Sequence, residues 1–256
     1  HHRETQSAMA KPTKIILATD PGGDDIFAFL WLLSLAKQEV VELVAITAAE
    51  GNVAARKTFT NSAQVLELTG FSTIPVGRAV PLHTDPDGMG NLSQTLPLSD
   101  QVFDSAQRAD DLLIEALNAD PGTITILAIG PLTNLAAAET KQPGILKKAK
   151  EIVVMGGAFH CRGNVTPTAE FNIWFNPKAA QVDFDSRDDI VVLPLDVTRE
   201  LVFTQAMAEI ATQHNSHSNL AQFVVKLCRF MVSTALRYRE TAGVPGFLVH
   251  DAATVG

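Results

Sequence analysis

The sequence predicts an α/β fold, a single domain built on an open, mainly parallel sheet with helices on both faces. Two observations carry this. Short apolar runs rich in β-branched residues alternate with longer stretches whose apolar residues recur at helical spacing, which is the signature of βαβ units. The chain has 256 residues, 46% of them hydrophobic, with no internal repeat and no low-complexity linker, which suits one domain with a full core.

The first strand is the apolar run at 15–19, closed by the turn Pro21-Gly22-Gly23. A helix over 24–36 follows, with Ile26, Phe27, Phe29, Leu30, Leu32 and Leu33 spaced along one face. Further strands are expected at 43–48, 74–76, 124–129, 152–155 and 190–195. Further helices are expected at 54–68, 109–118, 132–139, 177–184, 204–210 and 220–238. The stretch 80–103 has no clear period and is rich in Pro, Gly, Asp and Ser. A loop that long in a compact domain is usually functional or mobile. Residues 1–8 read as the remnant of an expression tag, leaving 9–256 as the α/β domain.

The formal net charge is -8 and no Lys/Arg block is present, which argues against nucleic acid or an anionic membrane surface as a partner. No apolar run approaches the roughly 20 residues needed to span a bilayer. Cys161 and Cys228 make no disulfide framework and lack metal-ligand spacing; free thiols in a reducing cytoplasm are the expectation.

The chemistry concentrates after the first strand. Asp20, Asp24 and Asp25 lie close together, while Lys14 and Lys37 sit at the far ends of the strand and helix. A helix N-terminus supplies only roughly 0.3–1 kcal/mol per acid, too little to balance three. Oxygen-only donors point to a hard cation, Ca²⁺ or Mg²⁺. The plainer alternative is a solvated acidic turn with Asp24 as a helix cap.

In open parallel sheets ligands bind beyond the carboxyl ends of the strands. Those ends carry Glu50-Gly51-Asn52, Gly130-Pro131-Leu132-Thr133-Asn134, Gly156-Gly157 leading to Asn164, Glu170 and Asn172, and Asp196. Acids, amides and glycines gathered there suit a sugar bound beside a metal. Each also has a structural reading. The glycines serve as turns, Met155 as core, Asn134 as a bond to its own loop, and Asp196 with Thr198 as a cap on the next helix. Glu170 and Asn172 flank Phe171 and share a face if the segment is extended. His250-Asp251 is a candidate second half of the metal site. His83 lies in the long loop, within reach of a ligand, whereas His160, His214 and His217 read as loop or solvated residues.

Taken together, these motifs resemble the inosine-uridine-preferring nucleoside hydrolases. Thr19-Asp20-Pro21-Gly22-Gly23-Asp24-Asp25 is similar to that family's aspartate fingerprint. Gly51-Asn52-Val53, Gly130-Pro131-Leu132-Thr133-Asn134, Val153-Val154-Met155-Gly156-Gly157, Gly163-Asn164-Val165-Thr166-Pro167, Ala169-Glu170-Phe171-Asn172-Ile173 and His250-Asp251 follow in the family's order. The resemblance implies a Rossmann-like Ca²⁺-dependent enzyme that hydrolyses the N-glycosidic bond of ribonucleosides, and a homodimer or homotetramer. It implies Asp20, Asp25, Asp251 and the Ile129 carbonyl as metal ligands, with Asp20 also taking the proton from the attacking water. Asp24 and Asn52 would hold ribose hydroxyls, and Asn164, Glu170 and Asn172 the rest of the sugar. Met155 would pack on the sugar face, His250 would protonate the departing base, and His83 would sit over the site. Base preference is not readable.

Two features depart from the family pattern. Ala18 stands where the family carries an Asp, a loss expected to weaken metal affinity or activity, since outer-shell changes often cost about 10–100-fold. The chain also ends soon after Asp251, where the family continues. Two rival readings follow: a catalytically impaired nucleoside- or ribose-binding relative, and a Mg²⁺-dependent phosphohydrolase. The second lacks a basic residue near the acidic loop to hold phosphate.

Overall fold

A computed structural model describes residues 11–82, 103–238, 241 and 246–255. The expected tag remnant, His83 and most of the 80–103 loop lie outside the described residues. In chain order the elements are β1 (Thr13–Thr19), α1 (Gly23–Lys37), β2 (Val41–Ala48), α2 (Ala55–Thr69), β3 (Val76–Gly77) and α3 (Ala109–Ala119). There follow β4 (Ile124–Ala128), α4 (Thr133–Lys141), β5 (Glu151–Met155), α5 (Phe171–Phe175), α6 (Pro177–Ser186), β6 (Val191–Leu193) and α7 (Leu195–Thr198). The described chain closes with β7 (Val202–Phe203), α8 (Gln205–Thr212), α9 (Asn219–Tyr238), β8 (Phe247–Leu248) and α10 (Ala252–Val255).

Six strands form one sheet in the order β3-β2-β1-β4-β5-β6, and every neighbouring pair is parallel. β1 is central. Its Leu17 pairs with Ile46 of β2 and Leu127 of β4. Strand residues alternate between two apolar layers. Ile15 and Leu17 join Phe29 and Leu32 of α1, Phe59 and Leu66 of α2, and Phe223 and Leu227 of α9. Ile16 and Ala18 join Leu112 and Leu113 of α3, Leu135 of α4 and Ala180 of α6. Burial on both faces explains why the strands read as continuous apolar runs. Among the described residues no helix is long and apolar enough to cross a membrane.

Three local features differ from expectation. Residues 170–172 are not extended: Glu170 is the N-cap of α5, its carboxylate accepting from the Asn172 and Ile173 amides. β6 stops at Leu193, because Pro194 enters α7. β7 and β8 form a small antiparallel pair, Val202 opposite Leu248 and Phe203 opposite Phe247. Phe203 and Phe247 pack with Phe27 of α1 at centroid separations of 5.0 and 5.1 Å. That aromatic contact ties the late segment of the chain to the helix that follows β1.

Asp183 in α6 is buried, and neither carboxylate oxygen has a hydrogen-bond partner. Burial pushes its carboxyl well above the usual range, and the charge of Glu139 adds to this. A folded-state pKa raised above the unfolded value gives stability that is full below the unfolded pKa and is lost as pH rises through the folded one. Asp183→Asn should therefore gain on the parent as pH rises above the usual carboxylate range, by on the order of 1–3 kcal/mol in urea unfolding at neutral pH.

Candidate active site

The strand order reverses between β1 and β4, so the crevice for a ligand opens beyond the carboxyl ends of those two strands. β1 delivers Asp20 into it. The Asp20 carboxylate is fully buried. Its Oδ2 accepts from the Asn52 amide at 2.7 Å, and its Oδ1 has no partner. Only glycine fits on either side: a Cβ at Gly51 would lie 2.2 Å from Oδ2, and one at Gly130 would lie 2.7 Å from Oδ1.

Asp24 and Asp25 occupy the first turn of α1. Asp25 Oδ1 accepts from the Thr19 hydroxyl at 2.7 Å and the Asp20 amide at 3.1 Å, and its Oδ2 accepts from Asn52 Nδ2 at 3.1 Å. Carboxylate oxygens of Asp24, Asp25 and Asp251 lie within 4.8 Å of one another. Acids from the two ends of the chain thus meet in one place. Asp24 completes this trio, whereas the resemblance assigned it to ribose and put Asp20 among the ligands. Asp20 lies alongside: Asp25 is its strongest charged neighbour.

The cluster is electrostatically incomplete. Burial raises all four carboxyls, Asp24 and Asp25 to about 6 and Asp20 and Asp251 well above the usual range, with repulsion from neighbouring acids adding to it at Asp20, Asp25 and Asp251. Among the described residues no salt bridge reaches any of the four. An all-oxygen donor set, an unpartnered buried Oδ1 and unrelieved repulsion fit a hard divalent cation.

The β4 and β5 ends form the other wall. Asn172 Nδ2 donates to the Ile129 carbonyl and the Met155 carbonyl, both at 3.1 Å, with the Met155 sulfur at 3.4 Å. A carbonyl has two lone pairs, so the bond from Asn172 leaves Ile129 one to offer a metal. Glu170 is buried and accepts from Asn172 N, Gly157 N and Ile173 N at 2.9, 3.1 and 3.2 Å. Burial still raises its pKa, and the charge of Asp24 contributes. Asn164 is exposed on the adjoining loop, its Oδ1 accepting from Phe171 N at 2.8 Å. His250 Nδ1 lies 2.8 Å from the Thr198 hydroxyl. Burial lowers the ring pKa to about 4, and Arg199 adds to this, so the imidazole is neutral near pH 7.

The inosine-uridine preferring nucleoside hydrolase family model matches residues 15–256. The chain belongs to that family. It is 34% identical over 250 residues to "Probable uridine nucleosidase 1" of Oryza sativa subsp. japonica, covering 93% of this chain and 74% of the relative. It is 35% identical over 251 residues to "Pyrimidine-specific ribonucleoside hydrolase RihB" of Escherichia coli O1:K1 / APEC, covering 95% and 77%. Among solved structures, "Plant nucleoside hydrolase - PpNRh1 enzyme" superposes with a TM-score of 0.83 at 34% identity, covering 95% of this chain and 77% of that one. As a nucleoside hydrolase, the protein cleaves the N-glycosidic bond of ribonucleosides.

For several residues that build this nucleoside hydrolase site, the sequence pointed to the region but not to the partner. Thr19 orients Asp25. Asn134 does not bond its own loop: its Nδ2 donates to the Ala48 carbonyl at 2.8 Å and its Oδ1 accepts from Val80 N at 3.0 Å. Asp196 does not cap the following helix, whose N-cap is Thr204, but accepts from Phe159 N and His160 N. Each partner is remote in sequence, so no local pattern reveals it. Ala18 packs with Ile16 and Ala128, and the Thr47 hydroxyl in register beside it is buried without a partner.

Gly51→Ala should drive a methyl group into Asp20 and displace its carboxylate. The expected result is at least about a tenfold loss of turnover and a smaller thermal shift on adding a divalent cation, read by calorimetry with and without the ion.

Proposed function

We propose that this nucleoside hydrolase acts on uridine and related ribonucleosides with Ca²⁺ held by Asp20, Asp25, Asp251 and the Ile129 carbonyl, Asp24 lying within the same reach. The reading is supported chiefly by the convergence of Asp24, Asp25 and Asp251 beside the unpartnered oxygen of Asp20. The uridine and pyrimidine names of the relatives at 34% and 35% identity support the choice of base.

When bound, the cation acidifies the attacking water and orients the ribose hydroxyls beside it. Asp20 receives the water proton at Oδ1 while the water oxygen bonds to C1′. The C1′–N electron pair leaves with the base through an oxocarbenium-like transition state, which the surrounding acids stabilise. Asn52 spends its amide nitrogen on Asp25 and the Asp20 carbonyl, leaving Oδ1 for a ribose hydroxyl alongside Asp24. Asn164, Glu170 and Asn172 hold the 5′ end of the sugar, and Met155 packs on its face.

The sequence assigned His250 proton transfer near neutral pH. A buried neutral ring acts differently: Thr198 donates to Nδ1, Nε2–H hydrogen-bonds the departing base, and solvent supplies the base its proton.

Assay of uracil release from uridine tests the scheme. Activity should vanish with chelator and return with Ca²⁺. Asp20→Asn should lower kcat by about 10²–10⁴ while raising the melting temperature of the metal-free protein, since it removes a buried acid whose Oδ1 has no partner. Absence of base release at any Ca²⁺ concentration would overturn the assignment.

Ala18 and the unpartnered Thr47 hydroxyl favour one second reading, a relative that binds ribonucleosides but turns them over slowly. It predicts Ca²⁺-dependent uridine binding by titration calorimetry without uracil appearing.

A further inference from the structure

The scheme above draws on Thr198 alone from α7, although the side chains of residues 196–199 reach both the His250 segment and the loop before Asn164. We propose that Asp196, Thr198 and Arg199 are positioning residues for the hydrolysis, holding the leaving-group side and the sugar side in fixed relation. The inference rests on the roles given above to His250 and Asn164.

Three bonds carry it. Pro194 is the N-cap of α7 and offers no side-chain cap. Asp196 is thereby free to reach back along the chain, and its two oxygens take the consecutive amides of Phe159 and His160 at 2.9 and 2.7 Å. Those bonds hold its carboxyl below the usual range, so it is ionised whenever the enzyme works. Arg199 Nη2 donates to the Gly163 carbonyl at 3.0 Å. The loop from 159 to 163 is therefore fastened at both ends, and Asn164 follows directly. Thr198 is fully buried and its hydroxyl meets His250 Nδ1 at 2.8 Å. That contact fixes the ring plane and leaves Nε2 as the nitrogen for a ligand.

The helix is itself anchored. Leu195 N donates to the Gly157 carbonyl at 2.9 Å, and Gly156 N donates to the Leu193 carbonyl at 3.1 Å. α7 is thus seated on the ends of β5 and β6 before it reaches His250 in one direction and the Asn164 loop in the other. Simple fastening of the surface would not require all three polar side chains of one short segment to end on site-bearing segments.

The two arms should separate kinetically in the Ca²⁺-loaded full chain. Thr198→Val should lower kcat for uridine about tenfold with KM changed by less than about twofold. The same variant should leave para-nitrophenyl riboside unaffected, because that phenolate departs without a hydrogen-bond donor. Thr198→Ser should restore uridine turnover. Asp196→Ala should instead raise KM for both substrates about fivefold, since the sugar-side loop serves both. Equal slowing of both substrates by Thr198→Val, failure of Thr198→Ser to rescue, or an unchanged KM in Asp196→Ala would overturn the proposal. His250→Ala and Asn164→Ala make the distinction from the underlying reading. If these two are silent, the roles of His250 and Asn164 fail as well; if they are impaired and the α7 variants are not, the positioning role alone fails.

Discussion

The structure depends on burying several carboxyl groups at the end of one central strand. Water is excluded from Asp20, and Asp25 and Asp251 are nearly as inaccessible. An ionised carboxylate in such a place costs several kcal/mol unless something positive faces it. The fold tolerates this because the cost falls where the backbone is least able to yield. β1 is paired along its length on both sides and is packed on both faces by apolar layers. The stabilisation of the fold comes from those layers, and the site is strained within a frame it does not have to support.

α1 is the reference for the whole acidic group. Its first turn carries Asp24 and Asp25, and Phe27, two residues on, is the point where Phe203 and Phe247 dock. The short β7–β8 pairing brings Leu248 and Val249 along with them, and His250 and Asp251 follow immediately. One helix thus receives the late segment through aromatic packing and meets its acid through the opening turn. The separation of Asp24, Asp25 and Asp251 is set by this contact rather than by attraction among like charges.

Much of this was legible beforehand, for identifiable reasons. The six strands of the main sheet and the longer helices carry enough residues to show a period, and their bounds fall within a few residues of those expected. α5, α7, β7 and β8 have two to five residues each, too few for periodicity to register. Glu170 shows the consequence. Alternation suggested an extended segment, but a side chain that accepts two amides ahead of it begins a helix. At the site, residue types spoke clearly where several acids crowded one turn. They marked Asn134 and Asp196 as strand-end groups but not the distant backbone partners that these side chains meet. The join between Thr198 and His250 spans 52 positions and leaves no trace in either neighbourhood.

Asn134 has a wider bearing. By gripping the Ala48 carbonyl with one end of its amide and the Val80 nitrogen with the other, it links α4, the tip of β2 and the segment beyond β3. Asn172 does the same between the ends of β4 and β5. The crevice floor is cross-braced on both flanks, so it behaves as a stiff plate against which a pentose is pressed. Whatever allowance the enzyme makes for nucleobases of different size has to come from the walls above that plate.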